Sequence, residues 1–157
     1  MKKLIILLFI SILLAWDINA QTAAKSVYAE IGGPGIASLN FDTRFNKTEG
    51  GLGGRIGVGG FSIDGSSVVF FPIGINYLLG KDSKNYFELG AGVTPLIASS
   101  DFSDDETNFS TTFGHLIIGY RLQPANGGIT FRAFICPVFG SGFFVPYYAG
   151  ISFGYKF

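Results

Sequence analysis

The sequence predicts an all-β fold, an eight-stranded antiparallel up-and-down transmembrane β-barrel, and three observations carry that expectation. Apolar and polar residues alternate with period two along nearly the whole chain after residue 25, and no window sustains a helical period. The composition is 48% hydrophobic and 16% aromatic, yet it includes 23 glycines. A soluble core of this size needs less apolar material, and a helical membrane protein would carry it in long blocks. Finally, every charged residue inside an alternating segment falls on the side opposite the apolar one.

The N-terminus reads as a separate segment. Lys2 and Lys3 precede an apolar stretch from Leu4 to Ala15, Trp16-Asp17 breaks it, and Ala20 supplies the small residue before a cleavage point. This is the pattern of a secretory signal peptide over residues 1–20, because Asp17 interrupts the stretch before the roughly 20 apolar residues of a spanning helix are reached. The domain expected to remain is 21–157. A lipid-anchored export signal is excluded, since it needs a cysteine at the cleavage site and the single cysteine is Cys136. One cysteine also excludes an internal disulfide. Without Lys2, Lys3 and Asp17, the eleven basic and eleven acidic residues become nine and ten, a net charge of −1. That balance gives neither a nucleic-acid footprint nor a polybasic membrane patch.

Strands are expected at 26–33, 36–45, 51–62, 67–79, 85–98, 110–123, 128–139 and 145–157. The connections are GGPG (32–35), NKTEG (46–50), SIDGSS (62–67), GKDSKN (80–85), SSDFSDDETN (99–108), QPANGG (123–128) and GSGFFVP (140–146). Most are built from the Gly, Pro, Asn, Asp and Ser residues that favour tight turns. A membrane-crossing strand needs about 9–11 residues, so the length available fits eight strands with short turns and leaves too little for ten.

In a soluble barrel the apolar face points inward. Here the polar face is too rich in glycine and too poor in lysine and glutamate to be a solvated surface, so the sense is reversed: lipid outside, polar and small residues within. With the N-terminus in the periplasm, Phe45, Tyr77, Phe87, Tyr120, Phe131, Tyr155 and Phe157 fall at periplasmic strand ends on the outward face, an aromatic girdle. The inward face carries Glu30, Asp42, Arg44, Arg55, Glu88, Arg121, Arg132 and Lys156, five bases against three acids. An eight-stranded barrel is just wide enough to be filled by side chains, and buried charges must be paired. These eight residues are therefore expected to form a structural polar network that plugs the lumen.

Over the mature length, the eight amphipathic strands and the terminal strand YYAGISFGYKF resemble the small outer-membrane β-barrel proteins of Gram-negative bacteria. "GLGGRIGVGGF", "FFPIGINYLLG" and "FGYKF" are similar to stretches of a group within them, and that likeness carries no function. The resemblance implies that Tyr155 and Phe157 form the signal read by the barrel-assembly machinery, with Ser152 standing where the family often has glycine. It also implies an outer-membrane location, contact with outer-membrane lipid and lipopolysaccharide, and a monomer.

Enzymatic chemistry finds little support in the sequence. GLGGRIGVGG has no G-x-G-x-x-G in register and no phosphate-loop G-K-[ST] after it. His115 is the single histidine, which excludes a multi-histidine metal site; its inward parity makes it a hydrogen-bonded lumen residue, with Ser110, Thr111 and Thr112 nearby. A lipid A deacylase site would need H-x-S, and the chain reads His115-Leu116-Ile117. Asp101, Asp104, Asp105 and Glu106 lack the spacing of a calcium-binding EF-hand and read as a solvated loop tip that could share divalent cations with lipopolysaccharide phosphates. No catalytic residue, cofactor, resident metal or nucleic-acid partner is expected. A structural or surface-interaction role comes first, with Phe143–Phe144 and the 99–108 loop as surfaces for a partner. The alternatives are a lipid-modifying enzyme and a small channel or small-ligand barrel.

Overall fold

The computed structural model describes residues 23–63, 66–100 and 107–157. The 1–20 segment and the acidic residues Asp101–Glu106 lie outside the described residues. Eight strands follow one another: β1 (Lys25–Gly32), β2 (Ala37–Arg44), β3 (Gly51–Ile63), β4 (Ser66–Phe70, continuing as Ile73–Leu79), β5 (Asn85–Ser100), β6 (Thr107–Leu122), β7 (Gly128–Ile135, continuing as Val138–Gly140) and β8 (Phe143–Val145, continuing as Ala149–Lys156). Each is antiparallel to its sequence neighbours. β1 also pairs β8, from Ser26↔Lys156 to Gly32↔Gly150, so the sheet closes into a barrel. Closure leaves no open sheet edge around the lower wall, which is what a strand-built structure needs where water is absent.

Two of the strand interruptions have a chemical cause. Pro72 and Pro137 have no N–H to donate, but Pro72 O still accepts from Gly57 N at 2.8 Å and Pro137 O from Leu116 N at 2.9 Å. Register and facing are the same on both sides of each. The break in β8 is different. Val145 pairs Val138 and Ala149 pairs Ile135, so three residues on β8 oppose two on β7, a β-bulge at 146–148. Two-residue turn geometry at Ser141–Gly142, with Gly142 at φ 82°, places Phe143 opposite Gly140. Phe143 and Phe144 therefore belong to a strand rather than to the loop tip expected from GSGFFVP.

Two other turns use the residues expected of them. Asp82 Oδ1 accepts from the backbone N–H of Lys84 (3.1 Å) and of Asn85 (2.7 Å). Hydrogen bonding from the Asn85 side chain and these two amides holds the exposed Asp82 carboxyl below its usual range. The β1–β2 connection is one 3-10 turn, Gly33–Gly35, entered through Gly32 and Gly33 at φ 76° and 68°. Its three residues are buried, so the turn folds in over the barrel end.

Exposure is inverted relative to a soluble barrel. The outward positions of successive strands are apolar and open, as at Ile31 (71%), Leu39 (62%), Ile129 (68%) and Phe153 (58%). The inward positions carry Glu30, Asp42, Glu88, Arg121 and Arg132, each 1% exposed. The aromatic residues Phe45, Tyr77, Phe87, Tyr120, Phe131, Tyr155 and Phe157 all face outward around the end where β1 begins and β8 finishes. Two members of that ring are held by residues beside it: the Phe131 and Phe153 centroids are 4.9 Å apart, and the Tyr120 hydroxyl donates to Asn85 Oδ1 at 2.5 Å.

Candidate functional site

The interior has two storeys. The lower is polar and begins with the alternation itself, since residues two apart on one strand share a face. On β1, Ser26, Tyr28 and Glu30 point inward; on β2, Ser38, Asn40, Asp42 and Arg44; on β3, Arg55; on β4, Asn76; on β5, Glu88; on β6, Arg121; on β7, Arg132. All are at most 7% exposed. Small residues opposite the large ones make the room. Gly57 faces Asn40, and Gly154 faces Tyr28, where an added Cβ would run into the Tyr28 side chain and the Val27 carbonyl.

Asp42 and Glu88 are the hubs. Asp42 Oδ1 accepts from Arg44 Nη2 (2.6 Å) and Arg121 Nη2 (2.9 Å), while Oδ2 accepts from Asn76 Nδ2 (2.6 Å). Glu88 receives Arg132 through two parallel bonds of 2.8 Å, from Nε and Nη2, the geometry that planar guanidinium and carboxylate favour. Asn76 joins the hubs: its Nδ2 also donates to Glu88 Oε1 (3.0 Å), and its Oδ1 accepts from Arg44 Nη2. Glu30 bridges Arg132 (3.0 Å) to Arg55 (2.9 Å), and Arg55 donates onward to Asn40 Oδ1 (2.8 Å). Arg132 stacks between aromatic faces, 4.7 Å from the Tyr28 ring centroid and 5.0 Å from that of Phe134.

Seven of the eight charged residues expected in the lumen thus form one connected cluster, four arginines against three carboxylates. Lys156 stands apart. Its inward side chain sits at the rim where β1 begins and β8 finishes, and there it donates to Glu49 and to the carbonyls of Pro124 (3.1 Å) and Ala125. Glu49 belongs to a turn, so strand parity had no means of pairing it with Lys156. Ser26, Asn40 and Asn76 complete the cluster and share the inward parity that marks the charges. Tyr28 shares it too, although a tyrosine in a strand does not by itself announce a cation–π partner.

Above the charges lies an apolar layer. Ile117, Phe134 and Cys136 pack together, with Val138 and Tyr148 against them. His115 is fully buried here, and its Nδ1 pairs with Thr94 Oγ1 at 3.1 Å, across the β5–β6 pair rather than along β6. Higher still, inward aromatic rings from four strands form a chain. Phe61 and Phe70 lie 6.2 Å apart, Phe70 and Phe113 6.4 Å, and Phe113 and Phe143 6.5 Å. The Phe70, Phe113 and Phe143 rings, Val145 and the turn residues Pro34 and Ile36 surround a cavity of about 310 Å³ whose floor is Val138 and Tyr148.

No family model and no curated protein matches the sequence. Solved structures do match. The N-terminal β-barrel domain of Pseudomonas aeruginosa OprF superposes with TM-score 0.63 at 12% identity, over 86% of this chain and 96% of that one. The Yersinia pestis outer membrane protein Ail, in a phospholipid bilayer nanodisc, gives 0.50 at 14% identity, over 87% and 100%. The outer membrane enzyme PagL is 19% identical at a TM-score of 0.40, a likeness too loose to bear on activity. The fold of this chain is that of the small outer-membrane eight-stranded β-barrels.

Proposed function

We propose that the protein is an integral outer-membrane barrel with a structural or surface-interaction role, non-enzymatic and with a lumen closed by its own side chains. The inversion of exposure carries this reading. Hydrophobic side chains on the outer wall are stable only against lipid, and burying a carboxylate–guanidinium cluster in their place inside requires ion pairing, of which each charged residue of the cluster has at least one contact. The non-enzymatic part is supported by the placement of His115. A hydrolytic triad working on lipid from the outward face needs a histidine there, and the sequence's single histidine is fully buried inside. The molecule's neighbours in this reading are outer-membrane lipid, lipopolysaccharide and, during biogenesis, the assembly machinery.

Gel mobility of the membrane-extracted protein with and without boiling tests the reading. A folded barrel migrates differently from the boiled chain, and the protein partitions with the outer membrane. Recovery in the soluble periplasm, or identical mobility in both states, overturns it.

A further inference from the structure

The wall of the barrel is uneven. β1 and β2 have eight residues each, whereas β3 has 13 and β5 and β6 have 16 each. Beyond Ser38↔Gly59 the far part of β3 pairs β4 alone, and beyond Gly32↔Gly150 the Phe143–Val145 part of β8 pairs β7 alone. Among the described residues, the wall above the β1–β2 turn is therefore missing over two strand widths, about 10 Å. Eight residues extend about 26 Å along a strand, and a tilt of about 35–45° leaves roughly 20 Å of height against an apolar band of about 25 Å. Measured from the aromatic girdle, the gap begins inside the hydrocarbon layer.

The aromatic cavity stands directly behind this gap. Ile36 is on its sill at φ 60°, and Phe143 and Val145 face inward yet are 47% and 45% exposed. Inward apolar side chains left open next to a membrane have one cheap cover, the membrane's own hydrocarbon. The volume is about twice the ~150 Å³ of an apolar cavity that takes up benzene, enough for the end of an alkyl chain and far too small for a whole lipid. The Ile117–Phe134–Cys136 layer beneath keeps such a chain from the charges.

We infer that this cavity is a binding site for the terminal segment of a lipid acyl chain, which enters sideways from the bilayer over the β1–β2 turn. The inference rests on the membrane placement proposed above and adds a ligand and a route to it. The test is photolabelling of the wild-type barrel in bilayers of a phospholipid bearing a diazirine near the end of one acyl chain, with adducts mapped by mass spectrometry. Adducts on inward Phe113, Phe70 and Tyr148 are expected beside those on outward Phe139 and Phe144. A Val138→Phe variant that keeps its gel-mobility shift should lose the inward adducts and retain the outward ones. Adducts on the outward residues alone overturn the inference and leave the membrane placement standing; adducts on neither face overturn both. Inward adducts that persist at wild-type level in folded Val138→Phe also overturn it.

Discussion

Asp42 holds together more of the interior than any of its neighbours' charges suggest. It is the acceptor shared by Arg44, Arg121 and Asn76, and the described cluster already has one arginine more than it has carboxylates. Asp42→Asn keeps the shape but removes a negative charge, leaving two guanidiniums short of a partner in a dry interior. Losing one member of a buried ion pair typically costs about 3–5 kcal/mol. Arg55→Gln works the other way: it brings the cluster to balance, and Glu30 keeps Arg132. Urea unfolding of the refolded barrels in detergent should show Asp42→Asn destabilised by about 3–5 kcal/mol, and Arg55→Gln by clearly less. Equal losses would show that charge balance is not what the cluster supplies. At this scale the sequence was legible in facing and not in partnership. Parity alone put the arginines and carboxylates inside, because a strand residue's side is fixed by its position. It did not assign Arg132 to Glu88, because which inward residues meet depends on the stagger between strands 44 positions apart in the chain.

Among the elements, β8 shows how far strand reading goes and where it stops. Its lower part is regular from Ala149, and its alternation of outward Ile151, Phe153 and Tyr155 with inward Ser152, Gly154 and Lys156 is plain in the sequence. The bulge at 146–148 is not. It is a count of residues between two paired segments, which is visible only when the partner strand is known. The same ignorance of the partner made Phe143 and Phe144 read as loop. The closing residue, Phe157, is 62% exposed on the outward face, and its N–H donates to Lys25 O at 3.0 Å, the last bond of the seam with β1. Deleting it removes one outward side chain and one terminal hydrogen bond from a ladder that otherwise runs from Ser26 to Gly32. If Tyr155 and Phe157 are read by the assembly machinery, the deletion should sharply lower the protein's level in outer membranes. The stability of the same chain refolded in detergent should change little, about 1 kcal/mol for one peripheral bond. Immunoblots of fractionated cells beside urea titrations separate the two quantities. Normal outer-membrane levels of the truncated chain would count against the assembly role.

For the whole molecule, closure follows from eight alternating segments with turns too short for anything but neighbour-to-neighbour pairing. What alternation does not encode is depth. Phe70 and Phe113 have the same inward parity as Asn76 and Arg121, and it is place along the strand, not parity, that puts the former at the far end and the latter at the girdle end. The lumen is consequently layered, with charges below, an Ile117–Phe134–Cys136 septum above them and an aromatic chamber at the top. A solute crossing the barrel would have to pass both the septum and a cluster in which Arg132 and Glu88 fill the width between β5 and β7. If the lumen is closed as proposed, permeation requires breaking a doubly hydrogen-bonded pair, and planar-bilayer recordings of the wild-type protein should show no steady conductance above bare lipid. Removing both members of the pair in Arg132→Ala/Glu88→Ala leaves the net charge unchanged and deletes two fully buried side chains from that level. This variant, once its gel-mobility shift confirms folding, should conduct measurably more than the wild type. Steady unit currents through the wild-type barrel would show that the charges line a path instead of closing one, and an equally silent double variant would move the seal up to the apolar septum.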